Sequence, residues 1–180
     1  QPLWNPWAGD RGGLNEEQVR DGLVYLWAGN CQVHQRFTVD DIESMRENYE
    51  DVQVIVHPEC RREVVREADV NGSTSTIIDT IDNAEPGTTW AVGTEFNLVD
   101  HLDRRNEKKD VLPLGSEECI DCNAMAQINP AYLLWTLDEL RDDNPVNVIS
   151  VEPESSRLAR EALDRMIDLT SGSTSSAAVA

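Results

Sequence analysis

The sequence predicts an α/β protein built of repeated βαβ units with short parallel sheets. Three observations lead there. Short apolar runs rich in Val, Ile and Leu alternate with segments whose apolar residues recur at helical spacing. Several of those runs stop at Gly, Pro or Asn, which break or redirect the chain. One strand-end pattern occurs twice, as Val56-His57-Pro58-Glu59 and Val92-Gly93-Thr94-Glu95, a faint sign of duplication. Alternating strands and helices imply parallel sheet with crossover helices.

In chain order, Leu23-Val24-Tyr25-Leu26-Trp27 has the composition of a buried strand ended by Ala28-Gly29-Asn30. Thr38-Val39-Asp40-Asp41 resembles a capping box, and the helix after it carries Ile42, Met45 and Tyr49 on one face. Val52 to Val56 predicts a second strand, stopped by His57-Pro58, and Arg61 to Ala68 a short charged helix. Asn71-Gly72-Ser73-Thr74 opens a helix with Ile77, Ile78 and Ile81. Thr88 to Val92 is a third strand, followed by a helix with Leu98 and Leu102, and Val111-Leu112-Pro113-Leu114 is a shorter strand. Asn129-Pro130 places an N-cap before a proline at the first helical position, ahead of Leu133, Leu134, Leu137 and Leu140. Val146 to Val151 is a last strand, and a helix with Leu158, Ala162, Leu163, Met166 and Ile167 runs from about Pro153 to Thr170. The resulting division is 1–22 as a divergent N-terminal segment or fragment boundary, 23–93 and 94–170 as α/β domains, and 171–180 as a disordered tail.

Charge excludes several functions. The 180 residues carry a net charge of −19, so a broad nucleic-acid surface or an anionic membrane surface is ruled out as partner. No apolar run nears the ~18 residues of a membrane span. No charged n-region or apolar h-region opens the chain, so a secretory signal is not expected and a cytoplasmic location is. The first residue is Gln1, which suggests a piece of a longer or processed polypeptide. Only Lys108 and Lys109 are lysines. Such an acidic, Lys-poor surface suits a cytosol of molar salt, where screening relieves carboxylate repulsion; a genome that favours Arg over Lys is the alternative.

Ligands of open parallel sheets bind beyond the carboxyl ends of the strands. Those ends collect Cys31 and His34, then His57, Glu59 and Cys60, then Ser73 and Thr74, then Glu95. Each has an ordinary reading: Cys31 as a small buried hydrophobe, His57-Pro58 as a strand stop, Gly72-Ser73-Thr74 as a helix cap. Cys119-Ile120-Asp121-Cys122 is a C-x-x-C pair, suggestive of metal, cluster or redox chemistry. It has no second close pair for structural zinc and lacks the tight spacing of a bacterial ferredoxin. A site assembled from distant cysteines, such as Cys31 and Cys122 with a further ligand outside the fragment, remains.

Leu26-Trp27-Ala28-Gly29-Asn30-Cys31-Gln32-Val33-His34 resembles the W-x-G-x-C-x-V-H segment of the quinolinate synthase family. Val56-His57-Pro58-Glu59-Cys60 is similar to its V-H-P-E-[CS] signature, and Ala68-Asp69-Val70-Asn71-Gly72-Ser73-Thr74-Ser75 to its A-D-x-x-G-S-T-S segment. Val92-Gly93-Thr94-Glu95 and Cys122-Asn123-Ala124-Met125 match V-G-T-E and C-x-x-M, in the family's order. The stretch before Leu23 does not resemble what precedes these motifs in the family.

The resemblance implies two of three related α/β domains and a [4Fe–4S] cluster held by three cysteines, one per domain. Cys31 and Cys122 would be the second and third cluster ligands; Cys60 falls where the family tolerates serine. Iminoaspartate and dihydroxyacetone phosphate would condense to quinolinate for NAD biosynthesis, with loss of phosphate and water. L-aspartate oxidase or aspartate dehydrogenase would supply the iminoaspartate. Glu59 would act as base with His57 and His34 as catalytic partners, and His34, His57, Pro58, Glu59, Ser73 and Thr74 would hold substrate. Lacking the first cysteine, the fragment alone is expected to be inactive. The alternative is a truncated, non-catalytic α/β module that binds an anionic metabolite.

Overall fold

Buried Val, Ile and Ala runs dictate the centre of the molecule. The computed structural model describes residues 1–115 and 122–171. Gln53–Val56 (β3), Val70–Asn71 (β4), Thr89–Gly93 (β5) and Asp110–Pro113 (β6) form an all-parallel sheet in the order β4-β3-β5-β6. Side chains alternate faces along a strand. Val54 and Val56 therefore join one apolar cluster with Ile42, Met45 and Val64, while Ile55 joins another with Ile77, Ile81, Val99 and Leu102. Helices Val39–Asn48 (α2) and Arg62–Glu67 (α3) cover the first face; Thr74–Asn83 (α4) and Phe96–Arg105 (α5) cover the second. This is the α/β arrangement of alternating strands and helices that the sequence predicts.

Local chemistry sets the helix starts. Thr38 and Asp41 form a reciprocal capping box: Asp41 N–H donates to Thr38 Oγ1 (3.2 Å) and Thr38 N–H to Asp41 Oδ2 (2.8 Å). Such a cap contributes about 1 kcal/mol. Tyr49 lies just past the end of α2 and is exposed, so Ile42 and Met45 alone bury that face. Ser73 caps α4 through its Oγ, which accepts from Thr76 N–H at 3.3 Å.

The duplicated motif ends two neighbouring strands, but out of phase. Matching the sequences aligns Val56 with Val92, whereas the sheet pairs Val56 with Gly93. Gly93 is required there, because a Cβ would stand 2.8 Å from Val56 Cγ1. The sheet also crosses the 93/94 boundary drawn from sequence, since β6 pairs with β5, and the chain separates into compact units after Gln127.

Two strand expectations are corrected. Of Leu23 to Trp27 only Leu26–Trp27 (β2) is a strand; it pairs in parallel with Leu3–Trp4 (β1) and is exposed, Leu23 by 98% and Trp27 by 64%. A two-stranded ribbon is too small to bury both faces of such a run. Helix α1 (Glu16–Asp21) lies between these strands in sequence. Val146 to Val151 is no strand at all, because no described neighbour pairs with it; Val148 and Ile149 are exposed.

Helix Asn123–Ala126 (α6) closes the first unit. The second holds Pro130–Arg141 (α7), capped by Asn129 as its sequence predicts, and Pro153–Ser171 (α8). Leu133, Leu134, Leu137 and Leu140, expected to line one face, are each more than half exposed. No described helix is long and apolar enough to cross a membrane. The expected disordered tail lies outside the described residues, save Ser171.

Candidate functional site

Three chain turns converge beyond the carboxyl ends of β3 and β5. The first holds Cys31 and His34 on a single turn, tightened by Gln35 N–H donating to the Cys31 carbonyl at 3.1 Å. The second is the turn after β3, where Cys60 N–H donates to the His57 carbonyl at 3.0 Å and Glu59 projects from its crest. The third follows β5 and carries Thr94 and Glu95. The first two are clamped together: Gln35 Nε2 donates to the Glu59 carbonyl (2.9 Å), and Arg61 Nε to the Gln35 carbonyl (3.0 Å).

His34 is the hub. Its Nδ1 lies 3.2 Å from Glu59 Oε2 and its Nε2 3.3 Å from Thr94 Oγ1, while the His57 ring stacks on it with centroids 4.3 Å apart. Burial, together with the neighbouring His57, pushes the His34 imidazole below its ordinary range; Glu59 pulls the other way. The net effect favours the neutral form of His34. Glu59 N–H donates to His57 Nδ1 at 3.3 Å. That nitrogen is an acceptor here, so a neutral His57 keeps its proton on Nε2.

A cavity of about 300 Å³ opens between these turns, lined by Cys31, Val33, His34, Thr74, Thr94, Glu95, Leu98, Cys122 and Met125. Cys122 precedes α6 and makes no side-chain capping bond. Cys31 and Cys122, remote in sequence, thus face one space. Two hollows of about 430 Å³ lie elsewhere, one beside Lys108 and Lys109 and one beside Leu23; neither gathers cysteine or histidine.

The structure separates the remaining sequence candidates. Thr74 lines the cavity, and Ser73, beside it, caps α4 with its Oγ 3.1 Å from Thr76 Oγ1. Pro58 is exposed in the turn. Glu95 is a helix cap: its carboxylate accepts from Asn97 N–H (3.0 Å) and Asn97 Nδ2 (2.6 Å). Cys60 is a core residue, its Sγ 3.7 Å from the Gly93 carbonyl oxygen, and burial pushes its thiol up to about 12. Such a thiol is inert as nucleophile or ligand. Cys119 lies outside the described residues. Thr94 and Gln35 were not singled out from sequence, because both act through contacts with residues distant along the chain.

Converging thiol, imidazole and carboxyl groups at the strand ends of a short parallel sheet define an α/β ligand-binding or catalytic domain. The chain matches the family described as Quinolinate synthetase A protein over residues 12–168. Quinolinate synthases of Halobacterium salinarum and Haloarcula marismortui are 51% and 52% identical to it over 166 residues, and that of Listeria monocytogenes 42% over 168. These alignments cover 92–93% of this chain and 44–45% of the relatives, so it spans less than half their length. The chain belongs to the quinolinate synthase family.

The donor set here is compatible with an iron–sulfur cluster. Clusters are held by thiolates, and the cavity presents the thiols of Cys31 and Cys122 among Val33, Leu98 and Met125. Cys60 does not line it.

Proposed function

We propose that this chain is part of a quinolinate synthase whose complete polypeptide condenses iminoaspartate with dihydroxyacetone phosphate, releasing phosphate and water. The observation that supports this most is the cavity shared by Cys31 and Cys122 beside the His34–Glu59 pair. Cys31 and Cys122 would be two of the thiolates that hold a [4Fe–4S] cluster, with a cysteine outside this chain as the third. When bound, the cluster supplies an iron without a protein thiolate, a Lewis acid for a substrate oxygen.

This chain's own residues do the rest. Glu59 is the base that removes protons during tautomerisation and dehydration; its side chain is 59% exposed, so it meets substrate and exchanges its proton with water. His34, neutral and fixed between Glu59 and Thr94, orients a substrate oxygen and holds the Glu59 carboxyl in place. His57 presents Nε2–H as a second donor, and the exposed Pro58 shapes the turn carrying both groups. Ser73 and Thr74, at the N-terminus of α4, receive the carboxylate or phosphate of substrate, Thr74 from the cavity wall. We place the reaction in the cytoplasm, in NAD biosynthesis, with L-aspartate oxidase or aspartate dehydrogenase as the iminoaspartate source.

The test is iron and acid-labile sulfide analysis of the full-length product, with quinolinate formation measured alongside. About four irons and four sulfides per chain with turnover are expected. Their absence would favour the other reading, a non-catalytic module that binds an anionic metabolite.

The acidic surface belongs to the same proposal. With a charge of −19 and two lysines, the melting temperature is expected to rise by many degrees between ~0.1 M and ~3 M KCl. A flat or falling curve by circular dichroism would remove the halophilic reading.

A further inference from the structure

We propose that Cys31, His34 and Glu59 form a mononuclear site for a zinc-like divalent cation. Their donor atoms (one sulfur, one ring nitrogen and one carboxylate oxygen) all lie within 4.8 Å of one another. Tetrahedral zinc, with bonds of about 2.0–2.3 Å, wants neighbouring donors roughly 3.5 Å apart. The His34–Glu59 edge already measures 3.2 Å. The remaining closure falls to side-chain rotation, for which the exposed Glu59 has room.

The support around the trio is of the kind metal sites use. Cys31 and His34 share one turn, a C-x-x-H spacing that sets both donors on the same side. The Gln35 and Arg61 bonds described above fix the Glu59 turn against it. Thr94 holds the far nitrogen of His34, leaving Nδ1 directed at the Glu59 carboxylate, as an outer partner orients a ligating imidazole. Mixed sulfur, nitrogen and oxygen donors select a borderline cation such as Zn²⁺ or Co²⁺ over Mg²⁺ or Ca²⁺. Three protein ligands leave the fourth position to water. Binding displaces the Cys31 thiol proton to solvent, shifts the His34 proton from Nδ1 to Nε2, where Thr94 Oγ1 accepts it, and changes no oxidation state.

The site stands on this trio alone and does not depend on the cluster reading, because Cys122 is not one of its ligands.

Anaerobic titration of this chain, fully reduced, with Co²⁺ alone tests the site. One ion per chain is expected, with a thiolate-to-cobalt charge-transfer band and d–d bands of tetrahedral intensity. Cys122→Ser should bind as the unaltered chain does. Glu59→Gln and His34→Gln should weaken binding about tenfold or more. Circular dichroism checks that His34→Gln folds; the exposed Glu59→Gln decides the matter if it does not. Failure to bind Co²⁺, loss of binding in Cys122→Ser, or binding unchanged in Glu59→Gln would each overturn the proposal. None of these results bears on whether the full-length protein assembles a cluster.

Discussion

Cys122→Ser, made in the full-length protein, is expected to abolish the visible sulfur-to-iron absorbance and all quinolinate formation, while Cys119→Ser keeps most of both. The C-x-x-C pair offers two thiols by spacing alone, since residues three apart often reach one metal. Two observations separate them. Cys122 lines the cavity with Cys31 and His34, three residues before Met125, which lines it too. Its thiol is free of any capping role at the start of α6, so nothing local competes for it. Cys119 follows Glu117 and Glu118 directly in sequence and stands three positions before the cysteine that precedes Met125 by three. Removing one of three thiolates leaves an iron corner unsupported, so the loss should be of the whole cluster rather than a graded one. Metal analysis, visible absorbance and activity on both variants check this. Loss of the cluster in Cys119→Ser with retention in Cys122→Ser would reverse the assignment. A change of redox sensitivity alone in Cys119→Ser would instead mark the pair as a regulatory disulfide.

Where the sequence led to the fold correctly, the signal was local and redundant. Strands β3 and β5 are short, continuous apolar runs with stops on their carboxyl sides, and the capping groups at Thr38, Ser73 and Asn129 act within three residues. Misreadings came where an apolar run had to be paired before it meant anything. Leu23 to Trp27 and Val146 to Val151 have strand composition, but edges and faces are supplied by other parts of the chain. Helix α7 begins where its N-cap predicts, yet its leucines are exposed, because amphipathic spacing says that a face is apolar and not what covers it.

The site divides in the same way. His57 and Glu59 were legible as candidates because they follow a strand of the parallel sheet, and Cys31 and His34 because a family motif falls there, the strand expected before them being only the exposed pair Leu26–Trp27. Thr94 was not, since its role is a contact with His34 across 60 positions of sequence. Glu95 was collected as a strand-end acid, but position cannot distinguish a free carboxylate from one that caps the next helix. Its bonds to the Asn97 and Leu98 N–H groups make it the latter.

Glu59→Gln in the full-length protein is expected to lower kcat by ~10²–10⁴-fold, the usual cost of losing a positioned general base. Glutamine matches the shape of glutamate and can still hydrogen-bond to His34 Nδ1, so the pair at 3.2 Å need not move apart. The clamp on the turn runs through the Glu59 main chain, where the carbonyl accepts from Gln35 and the N–H donates to His57, and neither bond involves the carboxylate. The side chain is 59% exposed, so no buried charge is lost and the folding cost should be small. Iron and sulfide content should therefore match the unaltered enzyme, because Glu59 holds no part of the cluster in the proposed reaction. A base also leaves a kinetic signature that a merely structural residue does not: the loss falls on kcat rather than on KM. Substrate affinity should change far less than kcat, since the hydrogen-bonding surface is kept. Turnover of the glutamine variant within a few-fold of normal would remove Glu59 from the role of base and leave it as a support for His34.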